Sequence, residues 1–268
     1  RKSLALHREA GDEYEVAVTL LASAWALMQT GDLESALEAN REALEVFEEL
    51  GERRMVAKAM SRIIYCYLNG DDEDAAKHWL GETLELAREL NDRQTEAFCL
   101  SHLGDTARSS GDFARSRALH RRAQALFEGA DPVNAQCVRM NIAFTDIADG
   151  KYAAAESELV DLHERLDALG RQWVYPYTRL GLVCCAAAQQ DWGRFDDLLD
   201  EYVGLQKATD VFDAELAFLA EEAGHAALRS GDEKRARRAF EQALTQARQL
   251  GHHEREARIT SSMAEMDR

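Results

Sequence analysis

The chain has 268 residues, 46% hydrophobic and 30% charged, which is enough apolar residue for a core and too regular for disorder. A formal net charge of −17 argues against a general nucleic-acid or membrane-surface binder, because neutralising phosphates needs a basic face. Cysteines at 66, 99, 137, 184 and 185 are odd in number and show no CxxC spacing, so reduced thiols in a cytoplasmic protein are expected, with no metal and no cofactor.

The chain opens on Arg1, and RKSLALHREAGD reads as the tail of a helix, so the sequence is expected to continue a longer protein. From there two ladders of turn residues interleave. One runs Gly31, Gly70, Gly111, Gly150, Gln190, Gly231. The other runs Gly11, Gly51, Asn91, Asp131, Gly170, Asp210, Gly251. Each has a step of about 40 residues. Glycine or asparagine after an apolar periodic run stops a helix, because these residues reach the left-handed conformation cheaply. An Asp after Gly caps the next helix. Each unit is therefore helix, tight turn, helix, tight turn. The units are 12–50, 52–90, 92–129, 132–169, 171–209 and 211–250, with partial helices at 1–10 and 252–266, in one continuous stack.

Within the units, GDLESALEANREALEVFEELG from 31 returns at 231 as GDEKRARRAFEQALTQARQLG. Ala36 and Ala43, and later Ala236 and Ala243, put small residues where two helices cross. Gly104 and Gly224 recur seven residues before a turn glycine. A mid-helix glycine costs about 1 kcal/mol against alanine, so its return points to close packing. Pro132 fits the first turn of a helix after Asp131. Pro176 means that its helix starts near 175 or is kinked there. Leu4 and Leu6 at one end and Ile259 and Met263 at the other suggest apolar ends and weak end-to-end self-association.

A small residue seven positions before a Gly-Asp turn, an aromatic or leucine just after it (Leu33, Phe113, Tyr152, Trp192), and alanine at 36, 155 or 236 together resemble the tetratricopeptide repeat, TPR. The period of about 40 resembles the longer arrays of Pins/LGN-type scaffolds and MalT-class bacterial regulators. HEAT repeats lack the Gly-Asp turn. The resemblance covers nearly the whole chain. It implies an all-α, right-handed superhelical solenoid of antiparallel helix pairs, and a non-catalytic scaffold, the sensor or regulatory arm of a larger signalling protein. The alternative it leaves open is an accessory domain of a kinase or NTPase whose catalytic part lies upstream.

In this family the first helix of each unit lines the concave face. Counting ten, six and three residues back from each turn gives Leu21, Trp25 and Met28, then Ser101, Asp105 and Arg108, then Met140, Phe144 and Ile147. It goes on to Leu180, Cys184 and Ala187, then Glu221, His225 and Leu228, with Arg229 beside them. The second unit is ambiguous by one residue: Met60, Ile64 and Tyr67, or Ser61, Tyr65 and Leu68. Such a groove has apolar sockets, Trp25 and Phe144 foremost, and charged positions at units three and six. It suits an amphipathic protein or peptide segment with apolar and basic anchors. Glu221 and His225 are spaced i, i+4 and read as a surface ion pair. RSRALHRR at 115–122 and KRARR at 234–238 read as solvated faces balanced by neighbouring acids. GKY at 150–152 lacks the rest of a phosphate loop.

Overall fold

The computed structural model describes residues 12–70 and 72–266, which form thirteen α-helices and one short 3-10 turn. Inter-residue contacts divide the chain into two compact units, Arg1–Cys99 and Leu100–Arg268. The partial helix expected at 1–10, with Leu4 and Leu6, lies outside the described residues.

The first unit holds α1 (Glu13–Gln29), α2 (Leu33–Glu49), α3 (Arg53–Asn69), α4 (Glu73–Glu89) and the start of α5 (Arg93–Ser109). Its core is Val16, Ala17, Leu20, Leu21, Ala43, Leu44, Phe47, Val56, Ala59, Met60 and Ile63. Beside it Ala24, Met28, Ala36 and Cys66 close round the buried Asn40, whose amide lies 3.6 Å from the Cys66 sulfur.

The second unit takes the rest of α5, then α6 (Phe113–Phe127), α7 (Pro132–Ala148), α8 (Tyr152–Ala168), the 3-10 turn (Gln172–Val174) and α9 (Tyr175–Gln189). It ends with α10 (Trp192–Thr209), α11 (Ala214–Arg229), α12 (Glu233–Leu250) and α13 (His253–Met266). Pro176 sits in the first turn of α9, so that helix starts there and is not kinked. Residues 180–187 of α9 are all buried, and the core runs through them from Met140 and Phe144 to Phe240 and Ile259.

One turn geometry builds most connections. The N–H of Asp32 bonds the carbonyl five residues back, Leu27, at 3.0 Å, and Glu52, Asp92, Asp112, Asp191, Asp232 and His252 repeat this bond. The residue before the donor is left-handed, as at Gly31 (φ 78°), Gly111 (φ 79°) and Asn91 (φ 52°). The Asp then caps the next helix: Asp32 accepts from the Ser35 N–H and Asp112 from the Arg115 N–H.

At one step the ladder is shifted. Gly70 has φ −92°, and the Asp72 N–H bonds the Tyr67 carbonyl, so Asp72 takes the place of Asp32 and Asp112 and the repeat runs one residue longer here. That settles the second unit in favour of Ser61, Tyr65 and Leu68. A second shift lies at Gly129 (φ 82°), which ends α6 where Asp131 was expected to; Asp131 caps α7 instead.

The glycines inside helices have partners. A Cβ at Gly104 would lie 2.7 Å from the His120 ring, and one at Gly224 would lie 2.5 Å from Phe240. In both cases the bulky partner is sixteen residues later, on the second helix of the same pair. Ile259 is fully buried and Met263 packs on the core, while outward positions of α13 are Glu254, Thr260, Ser261 and Glu265. The expected apolar surface at this end is thereby corrected: the last helix presents a polar outer face.

Candidate functional site

On a helix each residue advances about 100°, so positions three and ten before the turn fall on the same side of position six. The burial pattern shows which side that is. Leu21 and Met28 are buried, while Trp25 is 47% exposed, Ala22 is exposed and Gln29 is half-buried beside it. The open stripe is therefore rotated from the expected one. On α1 it runs through the exposed Ala22 and Trp25 and the half-buried Val18 and Gln29; on α3 through the exposed Arg54 and Lys58 and the half-buried Arg62 and Tyr65.

These two stripes meet in the first unit. Trp25 and Tyr65 hold equivalent places in successive repeats, with ring centroids 6.3 Å apart. The Arg62 guanidinium lies over the Trp25 ring at 5.1 Å. Burial lowers the Arg62 pKa, and its Nη1 is buried without a hydrogen-bond partner.

In the second unit the expected positions Ser101, Asp105 and Arg108 are brought together with residues far along the chain. Arg108 is buried and pairs with Glu215 on α11, 107 residues later, and its guanidinium stacks on Phe218 at 4.6 Å. Within this unit the helices wind far enough for α5 and α11 to touch. Asp105 faces His120 at 3.4 Å, His102 at 3.6 Å and Arg108 at 3.7 Å. Ser101 sits 3.5 Å from His120 Nδ1 and accepts from Asn141 at 3.2 Å.

Burial pushes the His120 pKa down to about 4 against the pull of Asp105, so the ring is neutral at pH 7. Burial works against ionising Asp105 too, but the His102 hydrogen bond and the His120 and Arg108 charges outweigh it and hold its carboxyl low. Burial raises the Glu215 carboxyl, while the Arg108 cation keeps its charge through Glu215 and Asp105. Asp105 Oδ1, Arg108 Nη1, His120 Nε2 and Glu215 Oε2 remain without hydrogen-bond partners.

Several expected positions are closed. Met140, Phe144, Ile147, Leu180 and Cys184 are buried, as is Ala187, so the sockets expected there are corrected to core. The reason is α9, which is packed on every side. Phe144 lies under Gly181, and the Cys184 thiol donates to the Leu219 carbonyl at 3.2 Å.

Glu221 is a structural anchor. It takes two hydrogen bonds from Arg258 at 2.7 and 3.0 Å and lies 3.5 Å from Arg255 and 3.8 Å from His225. Burial opposes its charge, but these partners bring its carboxyl down to about 2. Arg229 donates to the Tyr152 hydroxyl at 2.9 Å. Sequence reasoning missed Arg62, His102, Phe218 and Glu222. All four lie on the side of their helices that Trp25 marks, so the signal was present in the spacing.

The basic stretches are neutralised in part. Arg117 pairs with Asp146 and Asp149 at 2.9 Å each, while Arg235 and Arg238 share Asp196. Burial raises the Cys66 thiol to about 11 and those of Cys99, Cys137 and Cys185 to about 12. Among the described residues no cluster of His, Cys, Asp and Glu is arranged to hold a metal, and no helix is long and apolar enough to cross a membrane.

No family model matches the chain, and no curated protein matches it in sequence. Solved structures do match its fold. A Rap protein complexed with competence and sporulation factor superposes with a TM-score of 0.72 at 17% identity, over 90% of this chain and 66% of that one. Aspartyl phosphate phosphatase F from Bacillus subtilis gives 0.69 at 15%, over 89% and 61%. The apo form of RapI gives 0.72 at 11%, over 92% and 89%. This chain thus spans less than two thirds of the first two. Identities this low establish the fold alone, and the fold is an all-α, TPR-like array of helix pairs.

Proposed function

We propose that the chain is a non-catalytic module that binds a protein or peptide segment on the open stripe of its first-of-pair helices. The observation that carries this is Trp25: a large aromatic left half in water, held against Tyr65 and Arg62. Aromatic side chains exposed on a rigid scaffold supply much binding energy at little entropy cost. A bulky apolar anchor on the partner would sit there.

The likeness to a Rap protein solved with a factor bound supports a regulatory role in a larger signalling protein. One similar structure is named a phosphatase. Against a catalytic role here, Glu221 is tied up by Arg258, Arg255 and His225, and burial holds the thiols protonated.

The test is a peptide-display screen on the full chain, followed by titration of the hits against Trp25→Ala. The variant should weaken binding by roughly tenfold, about 1.4 kcal/mol, with helical content unchanged. Undiminished binding would remove Trp25 from the site. Hydrolysis of acetyl phosphate above the buffer rate would overturn the non-catalytic reading.

A further inference from the structure

Arg54, Lys58 and Arg62 are spaced i, i+4, i+8 on α3, so their side chains share one face, and Arg54 and Lys58 are exposed. Many other arginines pair with acids, as at Arg53–Glu89, Arg88–Glu96, Arg117–Asp146, Arg139–Glu158 and Arg238–Asp200, although among the described residues Arg115, Arg121 and Arg122 on α6 form no ion pair either. Arg54, Lys58 and Arg62 form no ion pair with any described carboxylate. By the repeat spacing, the nearest acid on the companion stripe of α1 is Glu15, and it makes none with them either.

Arg62 is the costliest of the three. It is partly desolvated, with Nη1 buried and unpartnered, and among the described residues its charge faces the Trp25 ring and the Cys66 thiol. A cation removed from water without a counter-charge is unfavourable, and the loss is recovered when a carboxylate arrives.

We infer that this face of the first unit binds an acidic peptide segment, its carboxylates on Arg54, Lys58 and Arg62 and an apolar or aromatic residue against Trp25 and Tyr65. This rests on the proposed binding role and specifies its chemistry at this unit. The choice of occupant comes from charge complementarity: a cationic strip ending in an aromatic pair selects a carboxylate followed by a bulky apolar group. Nucleic acid also offers anions and rings, but a chain of net charge −17 repels a polyanion at long range. A short peptide with few carboxylates suffers much less of that repulsion.

The test is titration of the full chain, by the change in tryptophan fluorescence, with a Glu/Leu/Phe peptide, its Lys/Leu/Phe counterpart and a single-stranded oligonucleotide. The Glu peptide should bind, with affinity falling as salt rises. Arg62→Gln and the double variant Arg54→Gln/Lys58→Gln should each weaken it by roughly tenfold. Circular dichroism shows whether each variant is folded. If Arg62→Gln loses its fold, the double variant, confined to exposed positions, decides alone.

Three outcomes overturn the inference: tighter binding of the Lys peptide, Glu-peptide binding indifferent to the charge variants, or preferential oligonucleotide binding that the same variants abolish. Loss of both peptides in Trp25→Ala with no effect of the charge variants would leave the binding role standing and remove only the carboxylate selection. Failure of every peptide, from display or design, would remove the role itself.

Discussion

At the scale of single residues, the informative side chains are those that break the repeat's own rules. His120 occupies a fully buried place opposite Gly104, where an ordinary pair would hold an apolar residue. Its pKa falls from 6.5 to about 4 because burial disfavours the imidazolium, even with Asp105 at 3.4 Å. Ser101, His102 and Arg108 are the other polar and charged groups facing it. The folded state therefore resists the proton that the unfolded chain accepts. The stability this position supplies is whole above pH 6.5 and is lost as pH falls toward 4, by roughly 3 kcal/mol in total. Urea melts of the parent and of His120→Asn between pH 7 and 4 check it: the parent should lose more. Equal losses would mean that the ring is open to protonation.

Gly224 is a second case, where two effects oppose. Alanine there gains about 1 kcal/mol of helix propensity. A Cβ would also lie 2.5 Å from the Phe240 ring, and overpacking of this kind costs about 1–3 kcal/mol. The overpacking is expected to win, so Gly224→Ala should lower the melting temperature. The same substitution at Gly81, which has nothing within 4 Å, should raise it. Matching shifts in the two variants would show that α12 moves aside without cost.

At the scale of elements, each helix is bounded locally and held tertiarily. The Asp caps and the carbonyl bonds from five residues on set the ends, and burial against neighbours does the rest. The last helix is the clearest instance, because among the described residues α13 is packed on one side. Ile259 anchors it in the core, and Arg258 and Arg255 tie it to Glu221 of α11. Since Glu221 is held down to about 2, this tie is present above pH 4.5 and is lost as pH falls from there toward 2, a window below that of His120. At neutral pH, Arg258→Ala should speed amide exchange in α13 by several-fold while leaving α7 to α10 unchanged. Uniform protection in α13 would mean that Ile259 alone holds the helix.

At the scale of the molecule, charge is the governing quantity. An excess of acid corresponding to −17 favours expansion through self-repulsion, which salt relieves over a Debye length of about 10 Å at 0.1 M. Salt also weakens the exposed ion pairs, such as Arg53–Glu89 at 2.7 Å, but each of these contributes about 1 kcal/mol or less. The melting temperature is thus expected to rise as salt is raised from low ionic strength to about 0.15 M. A fall would show that the paired networks around Asp196 and Asp161 outweigh the net charge.

The sequence by itself determined the fold class, the period and nearly every helix, because glycine, aspartate and alanine at fixed spacing act locally: left-handed turn, cap, close crossing. It misplaced the stop at Gly70, which is not left-handed (φ −92°), and it did not decide which way each helix faces. A rotation of only about 40–60° round the helix axis separates Leu21 and Met28 in the core from Trp25 in water. Only the tertiary structure decided that, and with it the fate of Phe144, which composition cannot distinguish from Trp25 and which packing around α9 buries completely. The meeting of Arg108 with Glu215 was likewise beyond the sequence. A solenoid read repeat by repeat places residues 107 positions apart out of reach. How sharply the second unit winds comes from the summed small angles of its helix pairs, which no single repeat encodes.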